Sequence, residues 1–333
     1  MSAPERRAEQ PSGYGSGGGG RGGNGEASPP LLCLTGPTAV GKTGISLDLA
    51  EALGAEIINA DSRQIYRGMD IGTAKPTAEE RARVPHHLID VVDPSEVFSA
   101  ARFMVLATEA IGNIRARGGV PLVVGGTGLY IRSLVDGIVD APPAHPPLRE
   151  ALQAVGERQG ADALHRMLQR LDPATAGGLH PNDGYKVIRA IEIVLRTGQT
   201  ASGLRQAHGF PGVYNAVLIG LTRPRAELYE RINRRVDEMI AAGWVDETEG
   251  LLKKGISPES PGMKAVGYRE LVRFLMGEWP LSEAVASIKQ ASRNYAKRQF
   301  TWFRKDDRLC WFNAAGVSVA ELLAHWQSKT SRE

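Results

Sequence analysis

The sequence predicts an α/β fold: a parallel sheet core covered on both faces by helices, interrupted by an inserted helical subdomain and completed by a largely helical C-terminal third. Three observations carry that expectation. Short apolar runs alternate with helical stretches, which is how strands buried on both faces read. Gly36-Pro-Thr-Ala-Val-Gly-Lys-Thr43 matches G-x-x-x-x-G-K-[ST] between an apolar run and a helix, the context that motif requires. Residues 148–205 read as helix without strand. Together they make the core P-loop NTPase-like.

The elements follow in order. Residues 1–30 include the glycine-rich stretch 11–25 and offer almost nothing to bury, so they are expected to be a disordered tail. Strands are expected at residues 31–34, 55–61, 87–92, 120–124 and 213–221. Helices are expected at 43–53 and at 100–117, the second with Ser99 as its N-cap. The proline-rich stretch Ala141-Pro-Pro-Ala-His-Pro-Pro147 cannot sustain a helix or a central strand and marks a boundary. The first part of the core therefore covers 31–140, the helical insertion 141–205, and the completion of the core 206–333. That last part has helices at 225–242, 264–276 and 282–304.

The chain has 333 residues, 42% hydrophobic and 23% charged, enough apolar material for one large or two modest domains. Cys33 and Cys310 lie far apart and outside any Cys/His cluster, which argues against a disulfide framework or structural zinc. No apolar run is long enough to span a bilayer and no signal peptide is visible, so a cytoplasmic protein without membrane contact is expected, taken here as a monomer. A net charge of +3 is too small to name a polyanionic partner; local clusters must do so.

The motif supplies Gly36, Pro37, Thr38, Ala39, Val40, Gly41, Lys42 and Thr43 as a binding site for the phosphates of a nucleotide, ATP among them, or of another diphosphate. Its glycines let backbone N–H groups converge on phosphate oxygens, the helix N-terminus adds a favourable dipole, and Lys42 adds a point charge. The Thr43 hydroxyl is expected on a Mg²⁺ ion bridging the same oxygens. ATP-hydrolysing relatives of this loop end a later strand in an aspartate. Here the strand at 120–124 ends instead in Gly125-Gly-Thr-Gly128. That second turn offers further N–H groups and the Thr127 hydroxyl to a leaving diphosphate, or serves only close packing. Asp61 ends the strand after the P-loop and points into the ligand crevice; alone it fits a base, a metal ligand or a helix cap. Lys289, Arg293 and Lys297 recur on one helical face, with Tyr295, Trp302 and Phe303 interleaved among further basic residues. This pattern suits either a solvated face or nucleic-acid binding.

With these segments in hand, the chain resembles the bacterial tRNA dimethylallyltransferases, the tRNA isopentenyltransferase family that prenylates the adenosine immediately 3′ of the anticodon. The likeness covers nearly everything after residue 30. It rests on the P-loop, on Asp61-Ser-Arg-Gln-Ile-Tyr-Arg-Gly-Met-Asp-Ile-Gly-Thr-Ala-Lys-Pro76, and on Pro85-His-His-Leu-Ile-Asp90. Gly125-Gly-Thr-Gly-Leu-Tyr130, His180-Pro-Asn-Asp183, Val266-Gly-Tyr268 and Lys297-Arg-Gln-Phe-Thr-Trp302 add to it. The long segment from Asp61 is the most specific of these.

The resemblance implies dimethylallyl diphosphate on the P-loop with Mg²⁺, and a tRNA base entering the same channel from the opposite side. It implies Asp61 on the adenine N6 amine, Thr127 on the diphosphate and its bridging oxygen, and Arg223 on the diphosphate, with N6-isopentenyladenosine and diphosphate as products. By the same carry-over, Asp61, Ser62, Arg63, Gln64, Thr127, Arg149, Tyr185, Lys186, Val187, Ile188 and Arg189 contact tRNA, and 141–205 is the family's mobile insertion. The family often has two basic residues where this chain has Tyr185-Lys186, and its pattern has no counterpart of the glycine-rich tail. A small-molecule P-loop kinase, a prenyltransferase acting on free AMP and a non-catalytic RNA-binding nucleotide sensor are the competing readings.

Overall fold

The apolar run that begins at Leu31 has no polar face because both of its faces are covered. In the computed structural model, which describes residues 29–138, 141–207 and 214–330, this run is the strand β1 (Leu31–Thr35). Leu32 and Leu34 enter one apolar cluster, while Leu31 and Cys33 enter another on the opposite side of the sheet. Fully burying a leucine stabilises by about 1.5–3 kcal/mol, so β1 is a firm base for the loop that leaves it.

From there the chain runs through α1 (Lys42–Leu53), β2 (Ala55–Asn59), α2 (Ala78–Arg83), β3 (His86–His87), α3 (Ala100–Ala116), β4 (Val120–Gly125) and α4 (Gly128–Asp136). Five helices follow: α5 (Pro146–Gln159), α6 (Ala161–Leu171), α7 (Pro173–Gly177), α8 (Gly184–Thr197) and α9 (Ala201–Ala207). The chain returns to the sheet as β5 (Ala216–Thr222) and continues through α10 (Arg225–Ala241), α11 (Trp244–Lys253), α12 (Tyr268–Leu275) and α13 (Leu281–Phe303). It closes with β6 (Cys310–Asn313) and α14 (Val319–Thr330). Among the described residues the strands form one parallel sheet in the order β3-β2-β4-β1-β5-β6. Parallel neighbours need long crossovers, and the intervening helices supply them. Ser99 caps α3 by accepting from the Arg102 amide at 3.1 Å.

Register decides where the functional loops meet. Thr35 pairs with Gly125 on one side and Gly220 on the other, and Asn59 pairs with Val124. The loops leaving β1, β2, β4 and β5 therefore open side by side at the carboxyl edge of the sheet, where ligands bind in such folds.

Helices α5 to α9 bury Leu152, Leu164, Leu168, Val187, Ile191 and Leu204 in a cluster of their own. Under it, the fully buried Glu192 carboxylate accepts from the His145 amide at 2.6 Å, from Arg149 at 2.8 Å and from Arg189 at 2.5 Å. Burial alone would raise this carboxyl; the Arg149, His145 and Arg189 donors overcome it and hold it down at about 2. No helix among the described residues is long and apolar enough to cross a membrane.

Several expected bounds move. The strand expected at 87–92 shrinks to His86–His87, because Leu88 and Asp90 take positive φ angles of 62° and 58° and break the extended ladder; Val92 forms an isolated bridge with Tyr66 outside the sheet. The helix expected from 264 starts at Tyr268, after Gly267 at φ 96°. The strand expected at 213–221 runs Ala216–Thr222, and residue 213 lies outside the described residues, as does the tail at 1–28. β6 was not anticipated: it is four residues long and only partly buried, too short to show a period.

Candidate active site

The P-loop turns through conformations that its glycines permit. Gly36 has φ 151°, and a Cβ there would come within 2.7 Å of the Leu221 carbonyl oxygen. Gly41, at φ 108°, is the residue before α1. The first amides of that helix have no intrahelical acceptor and face outward for an anion. Lys42 curls back so that Nζ donates to the Gly36 and Pro37 carbonyls, each at 2.9 Å. Burial lowers its ammonium to about 8, with Asp61 opposing the shift and Arg235 adding to it. Thr43 is half-buried at the start of the helix.

Two arginines brace the loop from outside. Arg223, following β5, donates through Nε to the Val40 carbonyl at 2.7 Å and through Nη2 to the Ala314 carbonyl at 2.9 Å, and it pairs with Glu227. Arg231 on α10 donates through Nε to the Ala39 carbonyl at 2.9 Å. Ala39 itself holds φ 61°, a conformation that costs a non-glycine residue about 1 kcal/mol and persists here under that bond.

The second glycine turn proves to be a packing device. A Cβ on Gly125 would lie 2.1 Å from the Ala60 carbonyl oxygen, one on Gly126 2.3 Å from Gln299, and one on Gly128 2.1 Å from Trp302. The Thr127 amide is spent on the Ala60 carbonyl at 3.2 Å, so it is not among the free N–H groups expected of this turn. The Thr127 hydroxyl accepts from the Ser62 amide at 3.0 Å, and burial pushes the ionisation of the nearby Tyr295 phenol up to about 12. Gln299, buried on α13, ties the two glycine loops together. Its Oε1 accepts from the Thr38 amide at 2.8 Å and its Nε2 donates to the Gly126 carbonyl at 2.9 Å.

Asp61 is half-buried, and its Oδ1 accepts from the Arg63 amide at 2.8 Å, capping a turn rather than a helix; Oδ2 makes no hydrogen bond among the described residues. It lines a cavity of about 300 Å³ together with Thr38, Ala39, Arg235, Tyr295 and Arg298. Ile232, Val236, Met239 and Trp244 line its apolar side. Arg63 and Gln64 hold the segment in place, Arg63 donating to the Pro261 carbonyl and Gln64 to those of Thr73 and Ala74. Behind it, buried Lys75 pairs with Asp70 and Asp90 at 2.5 Å each.

Of the residues expected in the insertion, Tyr185 is 72% exposed, with Arg149 5.4 Å from its ring, and Lys186 pairs with Asp183. Arg149 and Arg189 are bound to Glu192. Val187 and Ile188 turn their side chains into the insertion's core, at 0% and 8% exposure, so they do not present a surface.

The basic stripe divides along its length. Lys289 pairs with Asp237 at 2.6 Å and Arg293 donates to Asn233 at 2.5 Å, so these two fasten α13 to α10. Further along, Lys297, Arg298 and Lys305 line a groove of about 860 Å³ between α4, α13 and Lys186 of α8. Tyr295, Gln299, Arg231 and Arg235 were not singled out as site residues from sequence; helical spacing from the basic stripe reaches the first two, and nothing local marks the arginines.

Fold and site thus define a P-loop α/β protein whose glycine-rich loop shares a cavity with a carboxylate just beyond a strand end. A family profile described as IPP transferase matches residues 64–306, and the chain belongs to that family. It is 48% identical over 292 residues, 87% of this chain and 94% of the relative, to a tRNA dimethylallyltransferase of Geobacter metallireducens. To the tRNA dimethylallyltransferase of Symbiobacterium thermophilum it is 51% identical over 288 residues, 86% of this chain and 90% of the relative. Among solved structures it resembles the full-length tRNA isopentenylpyrophosphate transferase of Bacillus halodurans, with TM-score 0.68 and 43% identity over 92% of this chain and 99% of that one. A eukaryotic dimethylallyltransferase acting on tRNA superimposes with TM-score 0.74 at 28% identity, covering 92% of this chain and 77% of that one.

Proposed function

We propose that this protein transfers the dimethylallyl group of dimethylallyl diphosphate to the N6 amine of the adenosine 3′-adjacent to the anticodon in tRNA. The observation that carries the reading is the cavity shared by Asp61 and the P-loop residues Thr38 and Ala39. The names of its relatives supply the two substrates. In the reaction the C1–O bond of the donor breaks, an N6–C1 bond forms, the amine's proton passes to the Asp61 carboxylate, and diphosphate leaves. Adenine's amine is a weak nucleophile, whereas the allylic donor ionises readily, so most assistance belongs at the leaving group. The P-loop amides and Lys42 provide it, with Arg223 and the Thr127 hydroxyl holding the loops that face the diphosphate. The base must leave its stack to reach the cavity. We assign tRNA contact to Ser62, Arg63 and Gln64 and to Arg149, Tyr185, Lys186 and Arg189, with 141–205 as the unit that closes on the RNA.

Mg²⁺ fits the donor set. Among the described residues the Thr43 hydroxyl makes no hydrogen bond and no cluster of three acidic, histidine or cysteine ligands competes for a metal. One hydroxyl beside substrate oxygens suits an ion that keeps most of its waters. Bound there, Mg²⁺ would neutralise charge on the diphosphate.

The direct test incubates purified protein with a tRNA transcript, dimethylallyl diphosphate and Mg²⁺, followed by mass spectrometry of the nucleosides. N6-isopentenyladenosine without ATP consumption is expected. An obligatory ATP turnover would return the chain to the kinase reading.

Salt tests the RNA surface. Log affinity for tRNA should fall linearly with log salt, and replacing Lys297, Arg298 and Lys305 together with Ala should flatten the slope by about 0.7 to 0.9 for each phosphate contact removed. Arg293→Ala should leave it unchanged, because that side chain is bound to Asn233. A slope that responds to Arg293 and not to the other three would reverse this division of the stripe.

A further inference from the structure

We infer that Glu247 is a positioning residue for the tRNA acceptor: it sets the loop 70–74, and that loop orients Gln64. The inference rests on the proposed assignment of Gln64 to tRNA. Glu247 is half-buried on α11, one helical turn beyond Trp244, so the two share a face of the helix. Three consecutive loop amides converge on its carboxylate. Asp70 and Ile71 donate to Oε2 at 2.7 Å each, and Gly72 donates to Oε1 at 3.1 Å. The Tyr268 hydroxyl donates to Oε1 at 2.6 Å. Tyr268 is fully buried, and burial, reinforced by Glu247, raises its ionisation far above the usual tyrosine range, so the phenol keeps its proton. Four donors on two oxygens call for a carboxylate; an amide there would turn a donor toward a donor. Gly72 brings the loop close against the helix, since a Cβ there would come within 2.0 Å of Trp244 Nε1.

The loop passes this placement on to Gln64. Its next two carbonyls, those of Thr73 and Ala74, accept from Gln64 Nε2 at 3.2 and 2.9 Å. Carbonyls only accept, so both amide hydrogens of Gln64 are committed to them and the orientation of the amide is fixed. Gln64 Oε1 is left at the other end without a hydrogen bond among the described residues, an acceptor for RNA. Gly72, Thr73 and Ala74 also line the cavity that holds Asp61. None of the four bonds to Glu247 involves the P-loop, so the effect belongs to the acceptor and not to the donor.

The test is a double-mutant cycle on the full chain, read as kcat/KM for a tRNA transcript at saturating dimethylallyl diphosphate, with calorimetry of inorganic diphosphate and Mg²⁺ alongside. Glu247→Gln should lower kcat/KM for tRNA about 10-fold and leave diphosphate affinity unchanged. Gln64→Ala should cost about as much, and the double variant should fall no further than Gln64→Ala alone, because the two residues act in series. Glu247→Asp, which draws the oxygens back from the amides, should behave in the same way and carries the cycle if the glutamine variant fails to fold. Losses that multiply in the double variant would overturn the inference, as would an unchanged kcat/KM for tRNA or a diphosphate affinity that falls in step with it. Wild-type protein that prenylated no tRNA would instead overturn the acceptor reading on which the inference rests.

Discussion

Asp61→Asn is expected to slow single-turnover prenyl transfer by a factor on the order of 10² or more, while affinities for tRNA and for the diphosphate donor change little. The amide keeps the carboxylate's shape, so the turn it caps through the Arg63 amide can persist. What it lacks is a second oxygen able to take a proton, and Oδ2 is the oxygen that the fold leaves unengaged. Asp61→Ala should damage rate and base positioning together, because it removes the cap as well. A metal role makes a different forecast: the asparagine variant would regain its rate in excess Mg²⁺. Rescue of that kind would transfer Asp61 to the metal site and leave the proton without a named acceptor.

Lys42→Ala is expected to lower kcat by about 10² to 10³, the usual cost of removing one preorganised donor from developing negative charge, and to weaken donor binding as well. The wild-type pH profile offers an independent check. Because burial holds the Lys42 ammonium down at about 8, its charge is lost as pH rises through that value, and donor affinity should decline there. A bound diphosphate favours the charged form, so the decline should move to higher pH as donor concentration rises. Folding stability should run the other way. Between about 8 and the ordinary lysine value of 10.5 the unfolded chain holds the proton that the folded chain has released, so this residue's contribution to stability grows with pH across that window. Diphosphate binding that stayed flat from pH 7 to 10 would separate Lys42 from the diphosphate.

The parts of this site that are legible in sequence are those whose geometry is local. The P-loop is contiguous and its glycines answer to backbone angles. Asp61 can be placed because it ends a strand next to the P-loop strand in the chain order. Helical spacing also exposes the face shared by Lys289, Arg293 and Lys297. It cannot say which of these cations finds a partner on another helix, since Asp237 and Asn233 lie 52 and 60 residues away. Gly125 and Gly126 show the same boundary. Their sequence fits both an anion-binding turn and a close approach, and only the positions of Ala60 and Gln299 make them packing glycines. Val187 and Ile188 fall next to Tyr185 and Lys186 in the chain, but the helical turn sends them inward, into a cluster that also draws on α5, α6, α7 and α9.

The hydrogen bonds of Gln299 set a schedule on the making of this enzyme. They join α13 to the Thr38 amide across 261 positions of chain and to the Gly126 carbonyl across 173. A ribosome releases the P-loop early, and domains tend to fold as their residues emerge. A nascent chain that stops short of residue 299 can contain every glycine of both loops and the whole of β1, β2, β4 and β5 without the tie that sets one loop against the other. The tie is therefore made near the end of synthesis, and a fragment released before residue 299 leaves the two glycine loops unset against each other.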